Sequence, residues 1–69
     1  MVEVFKTNVQ EEGQGEMMKA VLSETHPLHK INFDLTDCDK ILRIEGESIE
    51  VSAIVVLMMQ YGFSCEVLS

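Results

Sequence analysis

From Lys30 to Thr36 the apolar residues Ile31, Phe33 and Leu35 alternate with Asn32 and Asp34, a period of two that predicts a half-buried strand. Asp37-Cys38-Asp39-Lys40 then supplies turn chemistry, and Ile41-Leu42-Arg43-Ile44-Glu45 reads as the returning strand of a hairpin closed by Gly46. Upstream, Val2, Val4 and Thr7 set against Glu3, Phe5 and Lys6 give a β-rich run from Val2 to Val9. After the loop Thr7 to Gln14 the period changes. Met18, Val21, Leu22 and Thr25 recur at helical spacing opposite Glu16, Lys19 and Glu24, with Met17 at the border, which predicts an amphipathic helix over about 12–25. Pro27 disfavours the α conformation in His26 and ends it.

Ser48 is the expected N-cap of a second helix, with Glu50 in its first turn near the positive end of the dipole. That helix runs to about Tyr61, and Gly62 stops it. Phe63, Cys65 and Val67 then alternate with Ser64, Glu66 and Leu68 as a final strand. The order βαββαβ predicts an α+β, ferredoxin-like sandwich: a four-stranded antiparallel sheet with two helices on one face. The first and third strands should be central, the second and fourth at the edges. This topology sets the Glu11 loop, the Asp37 hairpin and the Tyr61-Gly62-Phe63 junction at one end of the domain. His26, Pro27 and His29 belong at the other.

The second helix is unusual. Val51, Ile54, Val55, Met58 and Tyr61 make a sufficient inward stripe, yet Ala53, Val56 and Met59 carry the apolar surface further round. A helix apolar nearly all round is ordinarily buried on more than one side. A rotated stripe that widens the core is one explanation. The other is an interaction surface centred on Ala53, Val56 and Met59, where methionine would suit an adaptable contact.

Sixty-nine residues make one small domain, residues 1–69, whose 46% hydrophobic content is too high for a disordered chain. Twelve acidic against five basic residues leave a net charge of −7, with Lys6, Lys19, Lys30, Lys40 and Arg43 scattered. That balance argues against nucleic acid and against anionic membrane surfaces. It favours a protein partner or self-association. Met1-Val2-Glu3-Val4-Phe5 has no basic segment leading into a long apolar one, and the apolar run from Ala53 to Met59 is too short to span a bilayer. The expected compartment is the cytoplasm, with Cys38 and Cys65 as free thiols outside any CxxC spacing.

Phe5-Lys6-Thr7-Asn8-Val9, Asp39-Lys40-Ile41-Leu42-Arg43-Ile44-Glu45-Gly46 and Tyr61-Gly62-Phe63 resemble the heavy-metal-associated domain, the copper-chaperone-like family, over nearly the whole chain. The resemblance implies the ferredoxin-like fold. It also implies where a metal would sit, because members of that family hold soft ions with two cysteines of a GMTCxxC-type loop between the first strand and first helix. Aligned back without gaps from Asp34-Leu35, the resemblance puts the loop's Gly-Met-Thr on Asn8, Val9 and Gln10, its first cysteine on Glu11 and its second on Gln14. Both soft ligands are missing, so the expectation is a degenerate member without soft-metal binding and without a cofactor.

The alternative is a metal-ion carrier with altered ligands: Glu11 and Glu12, assisted by Asp37 or Asp39, could weakly hold a divalent cation. Equally, acidic residues in the first turn stabilise a helix with no ligand at all. His26 and His29 have a chelating spacing but would leave a tetrahedral zinc site half empty. No nucleophile with an adjacent base is evident, so an enzyme is not expected. The reading is a small cytoplasmic interaction module, with self-association as one form of it.

Overall fold

The computed structural model describes residues 1–68 and has the order β1 (Val2–Thr7), α1 (Glu12–Thr25), β2 (Lys30–Asp34), β3 (Ile41–Glu45), α2 (Val51–Gln60) and β4 (Cys65–Val67). The four strands form one sheet in the order β2-β3-β1-β4, all neighbours antiparallel. With α1 lying over β2 and α2 over β4, the fold is ferredoxin-like, and β1 and β3 are central as expected.

Register explains the core. Phe5 of β1 stands opposite Leu42 of β3, which in turn stands opposite Phe33 of β2. Phe5, Leu42, Ile44 and Ile31 are buried beneath Met18 and Leu22 of α1 and Ile54 and Met58 of α2. Each such side chain contributes about 1.5–3 kcal/mol by leaving water. The alternation in β1 is the reverse of the one expected. Phe5 and Thr7 point into the core while Val2 and Val4 lie on the open face, Val2 being 48% exposed. The register requires this, because Phe5 shares a row with the inward Leu42.

Several boundaries also move. β1 stops at Thr7, β2 at Asp34, and β4 is confined to three residues. Thr25 is exposed and bonds its own helix, donating its hydroxyl to the carbonyls of Val21 and Leu22, both at 3.2 Å. Helix α1 ends before Pro27 as its ring requires. Ser48 does not cap α2: it sits in the left-handed region with φ 54, Glu50 occupies the N-cap, and the intervening Ile49 is buried. The tight backbone at Ser48 aims Ile49 at the core, and the helix starts only after it. Tyr61, expected inward, is 47% exposed because α2 ends at Gln60.

Gly15 faces β2, where an added β-carbon would stand 3.3 Å from Leu35 Cδ1. This small residue lets α1 settle onto the sheet. At the opposite end an added β-carbon on Gly46 would stand 2.6 Å from His29 Nδ1, so the absence of a side chain there is what admits the imidazole.

Candidate functional site

Two places carried functional expectations, the loop between β1 and α1 and the outward face of α2. The loop is tied into its surroundings on both sides. Thr7, buried at its start, donates its hydroxyl to the Lys40 carbonyl at 2.6 Å and accepts the Val9 N–H at 3.2 Å. Its backbone N–H reaches the Asp39 carbonyl at 3.1 Å, locking the loop to the β2–β3 hairpin. Asn8 Oδ1 accepts the Ser64 N–H at 2.8 Å and joins the loop to the start of β4. The three segments expected at one end are therefore bonded together there.

Glu11 is the N-cap of α1, and its carbonyl accepts the Gly15 N–H to open the helix. Gln14 folds back, its Oε1 accepting the N–H groups of both Gln10 and Glu11 at 3.2 Å. Those two donors belong to a helix start, where N–H groups have no intrahelical partners. So Glu11 and Gln14, the candidate ligand positions of the loop, do a structural task. Glu11 and Glu12 are exposed and lie against solvent in the first turn.

The described residues contain one group of three metal-capable side chains whose donor atoms lie within 4.8 Å of one another: Asp37, Cys38 and Asp39, in the hairpin. Glu11 and Glu12 do not join it, so the expected help from Asp37 or Asp39 does not materialise as one donor set. Asp37 Oδ1 already accepts the Asp39 N–H at 2.8 Å, the bond of a tight turn. Asp34 is likewise engaged, accepting the Thr36 hydroxyl at 2.6 Å and the Thr36 N–H at 3.2 Å. The hydroxyl bond, then the backbone bond, lowers the Asp34 carboxyl below its ordinary value.

His26 and His29 stack at the far end, with ring centroids 5.5 Å apart and planes within 11°. They gather no third donor among the described residues. Neither cysteine lies in the loop between β1 and α1. Cys38 is exposed in the hairpin, whereas Cys65 is half-buried in β4 and burial pushes its thiol up to about 12. A thiol held protonated is a poor ligand and a poor nucleophile.

On α2, Val56 is 52% and Met59 63% exposed, and Ala53 is exposed beside them. From Val51 to Gln60 the helix carries no charged residue. Ile54 and Met58 are fully buried on the opposite side, so the inward stripe is complete without Val56 and Met59. Two shallow hollows flank the helix. One is lined by Val51, Ser52, Val55 and Val56. The other lies between Met59, Phe63, Cys65 and Asn8. The second was not foreseen from the sequence, because it depends on Asn8, the end of α2 and β4 meeting across the fold.

Among the described residues no helix is long and apolar enough to cross a membrane. Compared with protein-family models, curated proteins and solved structures, the chain matches none of them.

Proposed function

We propose that the chain is a small cytoplasmic interaction module, descended from a copper-chaperone-like domain and no longer binding a soft metal, whose contact surface is the outward face of α2. One observation carries this reading. Val56 and Met59 lie outside the core on a helix without charges, next to Ala53 and two apolar hollows. Contiguous exposed apolar surface on a small protein marks a contact site. The loop supports the same view, since Gln14 and Glu11 are occupied in starting α1.

The partner is a protein, with a second copy of the chain as one candidate. Replacing Val56 and Met59 together by Glu tests the surface. The double variant keeps its circular dichroism spectrum and melting midpoint, because solvent-facing changes usually alter stability by under about 0.5 kcal/mol. If the chain self-associates through this face, sedimentation then shows a loss of mass. Unfolding of the variant would place the pair in the core and end the proposal.

The rival reading, a metal carrier with altered ligands, has the convergence of Asp37, Cys38 and Asp39 in its favour. Competition for Cu(I) against a chromophoric chelator separates the two. Tight stoichiometric binding lost in Cys38→Ser would establish a relocated hairpin site.

A further inference from the structure

The sheet has two edges, and they differ. At β2 the outer strand is covered by α1, whose Gly15 lets the helix approach Phe33 and Leu35 closely, and Lys30 and Asp34 place charges of both signs along the edge. Such charges blunt an edge against further pairing. A hollow beside β2 is lined by Glu12, Glu16 and Asp34 as well as Phe33 and Leu35, whereas the one beside β4 has no charged residue in its lining. The hollow between Met59, Gly62, Phe63 and Cys65 opens beside the strand.

The ladder shows which backbone groups are free there. The Leu68 N–H donates to the Val4 carbonyl at 2.8 Å, and the Ser64 N–H to Asn8 Oδ1, so the even-numbered residues bond inward. Antiparallel alternation therefore turns the N–H and C=O groups of Cys65 and Val67 toward the outer edge. Cys65 stands opposite Thr7 and Val67 opposite Phe5, which puts their side chains on the helix-covered face. Glu66 projects from the other face.

Charge narrows the occupant. From Ile44 onward the sequence holds Glu45, Glu47, Glu50 and Glu66 and no Lys or Arg. Among the described residues the one ion pair within 4.0 Å is Arg43 with Glu45, so exposed Glu66 is not paired, although Lys6 is its cross-strand neighbour. A second copy of β4 is a poor occupant. Two-fold pairing centred on Glu66 would set that carboxylate against its own counterpart, between chains that each carry −7.

We propose that the outer edge of β4 takes an extended basic and apolar segment of a partner protein as a fifth strand, with alternate apolar side chains entering the hollow beside Met59, Phe63 and Cys65 and a Lys or Arg standing opposite Glu66. Main-chain bonds to Cys65 and Val67 supply affinity, and the alternating side chains supply selectivity. The proposal rests on the reading of the chain as an interaction module and identifies the chemistry of its partner.

The test is a titration of the isotope-labelled full chain with acetyl-Lys-Val-Lys-Val-Lys-Val-amide at millimolar concentration, followed amide by amide by NMR. The Cys65 and Val67 amides shift and gain protection from hydrogen exchange. N-methylating the peptide's β4-facing amides weakens binding by roughly tenfold or more through the lost hydrogen bonds. Glu66→Lys weakens it by roughly fivefold and admits the corresponding Glu-Val peptide, since opposite charges across strands attract and like charges repel. Val67→Pro removes only an outward N–H, so it blocks the edge while leaving the bonds to β1 in place.

Unchanged Cys65 and Val67 amides overturn strand addition. Shifts confined to Ala53, Val56 and Met59 also overturn it, yet leave the α2 contact surface standing. Self-association of the free chain that Val67→Pro abolishes would make a second copy the occupant and overturn the heterologous strand. Binding at Cys65 and Val67 that survives Val56→Glu, a residue outside the β4 hollow, supports the fifth strand as a surface separate from the α2 face, whereas binding indifferent to Met59→Glu overturns the entry of apolar side chains into the hollow.

Discussion

Gln14 Oε1 accepts the backbone N–H of Glu11 at 3.2 Å, so the two loop residues singled out as candidate ligand positions are bonded to each other at the start of α1. Their roles are local. A side chain that reaches back to a helix's first turn satisfies donors that would otherwise need water.

Gln14→Ala therefore affects stability and leaves metal binding untouched. It lowers the unfolding free energy by about 1 kcal/mol, the usual loss when a capping side chain is removed. Chemical denaturation measures that change. Cu(I) and Zn²⁺ bind the parent and the variant no more tightly than an exposed carboxylate pair, as competition with a chromophoric chelator would show. Tight binding in the parent that vanished with Gln14→Ala would refute the structural role.

Thr7→Val keeps the shape of a buried residue and deletes its hydroxyl. The Lys40 carbonyl and the Val9 N–H then both lose a partner. Unsatisfied groups in a buried setting cost about 1–3 kcal/mol each, less where water can enter. The variant should be destabilised by about 2 kcal/mol in denaturant unfolding, with faster amide exchange at Val9. An unchanged midpoint would show that the clamp between β1 and the hairpin contributes nothing.

The two thiols should separate cleanly under alkylation. Cys38 is exposed, while burial holds the Cys65 thiol up to about 12. Because the thiolate is the reactive form, iodoacetamide at neutral pH should label Cys38 at least about a hundredfold faster. Peptide mass mapping over time gives both rates. Equal rates would mean that Cys65 is not held in its half-buried place.

The bond from Thr36 to Asp34 predicts an acid-side dependence. Since the carboxylate is favoured in the folded chain, its contribution is complete above the ordinary Asp value and is lost as pH falls through the lowered one. Thr36→Val removes the hydroxyl. The Asp34 value read from its carboxyl NMR shift should then rise toward that of a free side chain. The stability gap between parent and variant should be full at neutral pH and close below about pH 4. A gap that persisted at lower pH would assign it to something other than this carboxylate.

How much of this was legible depended on how many faces of each element are apolar. Ile31 and Phe33 alternate with polar neighbours, so the direction of β2 was plain, and the pattern of Leu42 and Ile44 follows from pairing with it. β1 was misread because Val2 and Val4 are apolar on the open face, while inward Phe5 shares its face with Glu3. Only its pairing with Leu42 decides the matter. Ser48 carried a good capping side chain, but burial of Ile49 requires a turn at Ser48 and moves the cap to Glu50.

At the candidate sites, the absence of cysteine from the loop between β1 and α1 was visible residue by residue, and so was the apolar excess of α2. The bond from Gln14 to Glu11 lies within one helical turn, and its three-residue spacing was available to be read. The bonds from Thr7 to Lys40 and from Asn8 to Ser64 span distant parts of the chain. So do the contacts that open the β4 hollow.

The sheet order also governs when the domain can assemble. β1 is flanked by β3 and by β4, its neighbours from the middle and the far end of the sequence. During synthesis β1, β2 and β3 can pair as soon as the hairpin emerges, but β1 then remains an edge, its outward N–H and C=O groups open to other nascent chains. Pairing between such distant segments is slow to form and is exposed to aggregation while it waits. The three-residue β4, held by the Leu68 and Asn8 bonds, thus covers the six-residue edge of β1 and leaves only its own shorter edge open on that side.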